Sequence, residues 1–161
     1  MKPLRKSLFG ILGVIAAQLC DGADDSVVLG SAVSNKYLVS AACDPGDLCM
    51  DSYYLWVMDA RKTVAGPPVK GRIMVMAAQH AEATSKFVRS VRLFVVSRIN
   101  NAETRRNSKA DYSLLAASPL YEGGRYCLPM NPNSVGLPIE ASHIVQESDS
   151  GFFCFPSKLV R

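Results

Sequence analysis

The chain has 161 residues, 48% hydrophobic and 20% charged, which is enough apolar material for one packed domain and too much for a disordered chain. Eleven glycines and nine prolines without a repeat exclude a collagen-like or low-complexity protein. The formal net charge is +4, and two histidines, His80 and His143, are too few for a histidine-rich metal site.

Residues 1–7 carry Lys2, Arg5 and Lys6 and no acid, and residues 8–19 (LFGILGVIAAQL) are apolar or small apart from Gln18. A basic start followed by a short apolar run predicts a secretory signal. Spanning a bilayer takes about 20 apolar residues, and Asp21, Asp24 and Asp25 close this run too early. Cleavage after Gly22 puts Gly22 and Cys20 at the two positions that want small residues. It leaves residues 23–161 as a single domain, secreted or periplasmic, with no transmembrane segment. Cleavage after Ala17 and acylation of Cys20 are the alternatives.

Short β-rich runs follow. Residues 26–33 (SVVLGSAV) and 36–41 (KYLVSA) read as two strands joined by a Ser34-Asn35 hairpin turn. Residues 53–63 read as a strand with Tyr54, Trp56 and Met58 on one face and Leu55 and Val57 on the other; Gly66-Pro67-Pro68 stops it. Over residues 69–77, Val69, Ile73 and Val75 alternate with Lys70, Arg72, Met74 and Met76. Residues 81–87 read as a short helix, and residues 88–99 contain VRLFVV, the strongest strand signal in the chain. Residues 100–110 form a second short helix, with Asn100 as N-cap and Glu103 three residues on. Shorter strands are predicted over 112–117, 126–128 and 152–155, and the Pro- and Asn-rich residues 129–138 form a loop. Six to eight short strands, with turn signals roughly every 8–15 residues, predict a mainly β fold. It is a small OB-like barrel or sandwich with one or two short helices.

Once the signal is removed, Cys43, Cys49, Cys127 and Cys154 remain, and in an exported chain they read as two disulfides. Four cysteines allow three pairings. The Asp-Pro-Gly turn after Cys43 favours Cys43–Cys49, which leaves Cys127 for Cys154. No cysteine pair has the close spacing of a structural zinc site, so no metal is expected. The chain has no P-loop, dinucleotide fingerprint or Gly-x-Ser-x-Gly, so no cofactor is expected either.

A Cys-bearing exported chain with Asp25-Ser26-Val27-Val28-Leu29-Gly30, and a strand ending in Ala65-Gly66 before Val69-Lys70-Gly71, resembles netrin-like modules of the OB fold. It is also similar to uncharacterised exported bacterial proteins with comparable strands. The resemblance covers roughly residues 25–128. It implies an OB-type barrel and, for the netrin-like inhibitors, an inhibitory role; this chain lacks the Cys-x-Cys that opens their mature chains.

Two classes of function compete. Val39-Ser40-Ala41-Ala42-Cys43, Asp111-Tyr112-Ser113-Leu114-Leu115 and Asp149-Ser150-Gly151 stand in the order of the three catalytic segments of trypsin-like proteases. No histidine lies between Ala42 and Cys43 to take a serine proton, and only 11 residues follow Ser150. These segments support only the alternative reading, a small hydrolase or hydrolase inhibitor with vestigial motifs, and no catalytic residue is assigned.

Charge is the stronger signal. Residues 61–109 hold 11 Lys and Arg against Glu82 and Glu103, a net +9, so the rest of the mature chain sums to −7. A block of one sign steers an anionic partner. The expected contacts are Lys70 and Arg72, on one strand face, with Lys86 and Arg89, three apart on a helical turn. Arg92 lies in an apolar run, is expected to be buried against a carboxylate such as Asp111, and is left out of the set. The leading reading is a non-enzymatic module that binds a protein or an anionic envelope component. Nucleic acid is not an expected partner, because aromatic residues do not interleave with the basic positions.

Overall fold

A computed structural model describes residues 24–40, 52–79, 90–121 and 123–160. The signal-like N-terminus, Cys43, Cys49, His80, the predicted helix over 81–87, Lys86 and Arg89 lie outside the described residues.

Five strands close a barrel in the order β1-β2-β3-β5-β4: β1 (Asp25–Ser40), β2 (Ser52–Ala65), β3 (Gly71–Gln79), β4 (Val91–Arg98) and β5 (Tyr112–Pro119). All neighbours are antiparallel except β3 and β5, which meet in parallel at Val75 and Met76. This is the five-stranded closure expected of an OB-like barrel rather than a sandwich. One short helix, α1 (Ala102–Ser108), joins β4 to β5. No helix among the described residues is long and apolar enough to cross a membrane.

The predicted faces of β2 hold. Tyr54, Trp56 and Met58 point into the barrel with Val28, Val75, Phe94 and Val96, while Leu55 joins a small outer cluster with Met74, Met76, Ile99 and Ala110. On β4 both faces are buried. Phe94 and Val96 fill the interior, and Leu93 and Val95 pack outward under the C-terminal segment. A strand covered on both sides needs no polar alternation, which accounts for the unbroken apolar run in its sequence.

That covering is a three-stranded sheet in the order β6-β8-β7: β6 (Arg125–Leu128), β7 (Val145–Gln146) and β8 (Phe153–Pro156). Tyr126, Leu128 and Phe155, with Val135, Leu137 and Ile139 from the preceding loop, bury the outer face of β1, β4 and β5. Cys127 stands directly opposite Cys154, and a disulfide joins them. Closing a loop of 27 residues removes unfolded-chain entropy worth about 3.5 kcal/mol. The buried Ser118 hydroxyl accepts from the Cys127 amide at 2.8 Å, tying this sheet to β5.

Three expectations need correction. Residues 34–35 do not turn: β1 is one 16-residue strand, and Ser34 and Asn35 pair with Val57 and Trp56 of β2. The polar pair sits beside a register shift between Ala32 and Ser34. Such a bulge bends a strand without ending it, and β1 pairs with β4 over its first part while following β2 throughout.

The N-cap of α1 is Asn101, whose side chain accepts from the Thr104 amide at 2.9 Å. Asn100 instead donates to Asp24 Oδ2 at 2.6 Å, holding the end of β4 against the start of β1. Arg92 is buried as expected, but Asp111 is not its partner. Arg92 faces Pro119 at one end of the β4–β5 ladder, whereas Asp111 adjoins Tyr112, opposite Arg98, at the other. Six residues of strand, about 20 Å, separate the two ends. Burial pulls the Arg92 guanidinium below its ordinary value, and nearby Tyr121 acts in the opposite sense.

Candidate anion-binding site

The turn from β2 to β3 is built to stay in one shape. Thr63 Oγ1 accepts from the Val69 amide and donates to the Val69 carbonyl, both at 2.8 Å, which closes the loop across its neck. Ser26 Oγ donates to the Pro67 carbonyl at 2.9 Å and ties the tip to the start of β1. Between these clamps Pro67 and Pro68 fix their own φ angles. Gly66 has a φ of +78° and packs so closely on the Asp25 carbonyl that any Cβ there would collide with backbone.

This loop and the end of β2 surround an open, shallow concavity of about 460 Å³. Arg61, Lys62 and Lys70 supply its charge, Val64, Ala65 and Pro68 its apolar surface, and among the described residues no aspartate or glutamate lines it. All three cations are exposed, and none is ion-paired to a described carboxylate. Three positive side chains without a neutralising acid make this surface attractive to anions.

The structure places Lys70 in this concavity and Arg72 outside it. Lys70 precedes β3, and Gly71 between them has a φ of +79°, so strand alternation does not put the two on one face. Arg72 stands opposite Asp59 of β2, and its Nε lies 3.2 Å from Asp59 Oδ1. That exposed pair contributes little to stability, but it offsets the Arg72 charge locally.

Arg61 and Lys62 were part of the basic block, yet strand-face reasoning did not single them out. The usable signal was their position just before a Thr-x-x-Gly-Pro-Pro turn, with Lys70 just after it.

Of the protease-like segments, Ala41, Ala42 and Cys43 lie outside the described residues, and Asp111 and Ser150 have other partners. Asp111 accepts from Arg105 Nη2 at 3.1 Å beside α1. Ser150, in the turn before β8, donates to Glu147 Oε2 at 3.4 Å. His143 ends an exposed single turn (Ala141–His143), and its side chain forms no hydrogen bond with a described residue.

A smaller crevice of about 190 Å³ lies among Tyr121, Arg125, Cys127, Glu147, Ser150 and Phe152. Its charges are matched, since Arg125 Nη1 lies 3.3 Å from Glu147 Oε1. Glu147 approaches Cys127 and Cys154 as a metal ligand set would, but the two sulfurs are bonded to each other and offer no thiolates. Of these two clefts, the one at the β2–β3 turn carries charge that no described carboxylate offsets. Compared with known proteins, the chain matches no family model, no curated protein and no solved structure.

Proposed function

We propose that this chain is an exported, non-enzymatic binding module whose barrel presents Arg61, Lys62 and Lys70 to an anionic partner, either a protein or a component of the cell envelope. One observation carries the reading: Arg61, Lys62 and Lys70, all exposed, line one concavity, and no described carboxylate lines it. The basic-then-apolar N-terminus supports export, and the Cys127–Cys154 disulfide is compatible with it. The site needs no catalytic group, because a preorganised loop and three charges are sufficient for binding.

The test is retention of the mature chain on a heparin surface across a salt series. Exposed charges are screened beyond about 8 Å at physiological ionic strength, so retention should fall as salt rises. Lys70→Ala should elute earlier than wild type and Arg72→Ala close to it, because Asp59 already offsets Arg72. Identical elution of Lys70→Ala and wild type would reject the site. Mass spectrometry of the mature N-terminus checks export: a soluble protein that retains Met1 would overturn that part.

A further inference from the structure

We infer that the ligand of the β2–β3 concavity is an acidic polysaccharide, an extended chain with carboxylate or sulfate groups on successive sugars. The inference rests on the anion-binding reading and narrows it.

The shape of the site excludes a lone small anion as the natural ligand. The concavity is open, and Arg61, Lys62 and Lys70 are all exposed, so no described residue encloses a single phosphate or desolvates its contacts. Affinity on such a surface has to come from several weak contacts made together, which a polymer with repeating charges provides. Arg61 offers a planar fork that grips a carboxylate or sulfate through two oxygens, and the two lysines act as point charges on neighbouring groups.

The lining decides among polymers and surfaces. Among the described residues no aromatic side chain lines the concavity, so nucleic-acid bases find no described ring to stack on. Among the described lining residues the apolar ones are Val64, Ala65 and Pro68, and none of the exposed large apolar side chains, such as Tyr37, Leu120 and Tyr121, is among them. A lipid bilayer therefore finds charge here but no apolar group to insert. The rest of the lining is Thr63, Val64, Ala65, Gly66 and Pro68, mostly small and apolar. It matches the C–H faces of sugar rings, whose acidic groups then meet the cations of the same lining. The clamps on Thr63 and Ser26 hold the loop backbone before binding, so the ordering cost falls on the cationic side chains rather than on the loop.

The experiment uses fluorescently labelled heparin fragments of four and twelve sugars, titrated with the mature chain. Inorganic phosphate, phosphatidylglycerol vesicles and a single-stranded DNA homopolymer are run as separate arms. The site variant is Arg61→Ala/Lys62→Ala/Lys70→Ala. The control removes the same charge elsewhere, as Lys36→Ala/Arg106→Ala/Lys158→Ala, all exposed positions. Thermal melts confirm that both variants fold.

The twelve-sugar fragment should bind more tightly than the four-sugar one and weaken about tenfold in the site variant, against less than about twofold in the control. Tighter binding of vesicles or DNA, lost in the site variant, would overturn the polysaccharide and leave the anion site standing. The same holds if phosphate competes as well as the long fragment. Unchanged binding of every probe by the site variant would overturn both.

Discussion

The barrel strands run from 8 to 16 residues and bury Trp56, Met58 and Phe94 among themselves, whereas β6, β7 and β8 have four, two and four residues. Strands that short do not hold a sheet together in water. The C-terminal sheet is ordered because it lies on the barrel: Leu128 and Phe155 bury against Val27, Leu93 and Val95, and Ser118 accepts a hydrogen bond from Cys127. The Cys127–Cys154 bond then fixes β6 to β8. One region makes its own core, and the other borrows a wall of it. The site belongs to the first region, on a turn clamped by Thr63 and Ser26.

Cutting into the barrel core should have the largest effect. Phe94 is fully buried in the shared wall between interior and covering sheet. Phe94→Ala should cost about 3–5 kcal/mol through lost burial and the cavity left behind. In urea unfolding followed by Trp56 fluorescence and far-UV dichroism, both signals should shift together to lower denaturant. A loss below about 1 kcal/mol would mean that the wall repacks, contrary to the shared-core picture.

Removing the disulfide should be nearly as costly but more local. Cys127→Ala/Cys154→Ala should lose about 2–5 kcal/mol. Hydrogen exchange should quicken at Tyr126, Leu128 and Phe155 while Val75 and Phe94 stay protected, since sub-global opening follows the weaker unit. Equal loss of protection in barrel and sheet would show that the two regions unfold as one.

The same division explains what the sequence made legible. Local patterns located most strands, and parity along Tyr54, Trp56 and Met58 identified the interior face of β2. Barrel closure was not written locally. It depends on β1 meeting β4 about 66 residues later, as at Val28 and Phe94, and no short-range period records such a pairing. Ser34-Asn35 carries turn chemistry, yet a bulge accepts the same residues, so the local signal was ambiguous in kind. The α1 cap falls on the second of two adjacent asparagines because Asp24 claims the first. The charge block was visible in the composition, but its geometry depended on Gly71 breaking the alternation between Lys70 and Arg72.

The clamped loop offers a smaller and sharper test. Gly66→Ala forces a side chain into a left-handed backbone position and against the Asp25 carbonyl. It should cost about 1–3 kcal/mol. Heparin retention should weaken although no charge has changed, because the loop that sets Lys70 against Arg61 and Lys62 shifts. Stability lost with retention intact would mean that the cations act only as a diffuse charge, without help from the loop geometry.

The smallest effect on the fold should come from Asp59→Asn. Asp59 and Arg72 are both well exposed, with side-chain exposures of 43% and 66%. Their ion pair should therefore contribute well under about 1 kcal/mol, and the melting temperature should hardly move. Binding should respond in the opposite direction to Lys70→Ala and Gly66→Ala. Neutralising Asp59 releases the Arg72 charge one strand across from Arg61, on the same hairpin as the concavity, and removes the nearest carboxylate in that stretch of β2. The variant should elute from heparin at higher salt than wild type, and Asp59→Asn/Arg72→Ala should return it to the wild-type position. Retention that does not rise in Asp59→Asn would place Arg72 beyond the reach of the ligand and confine the binding surface to Arg61, Lys62 and Lys70.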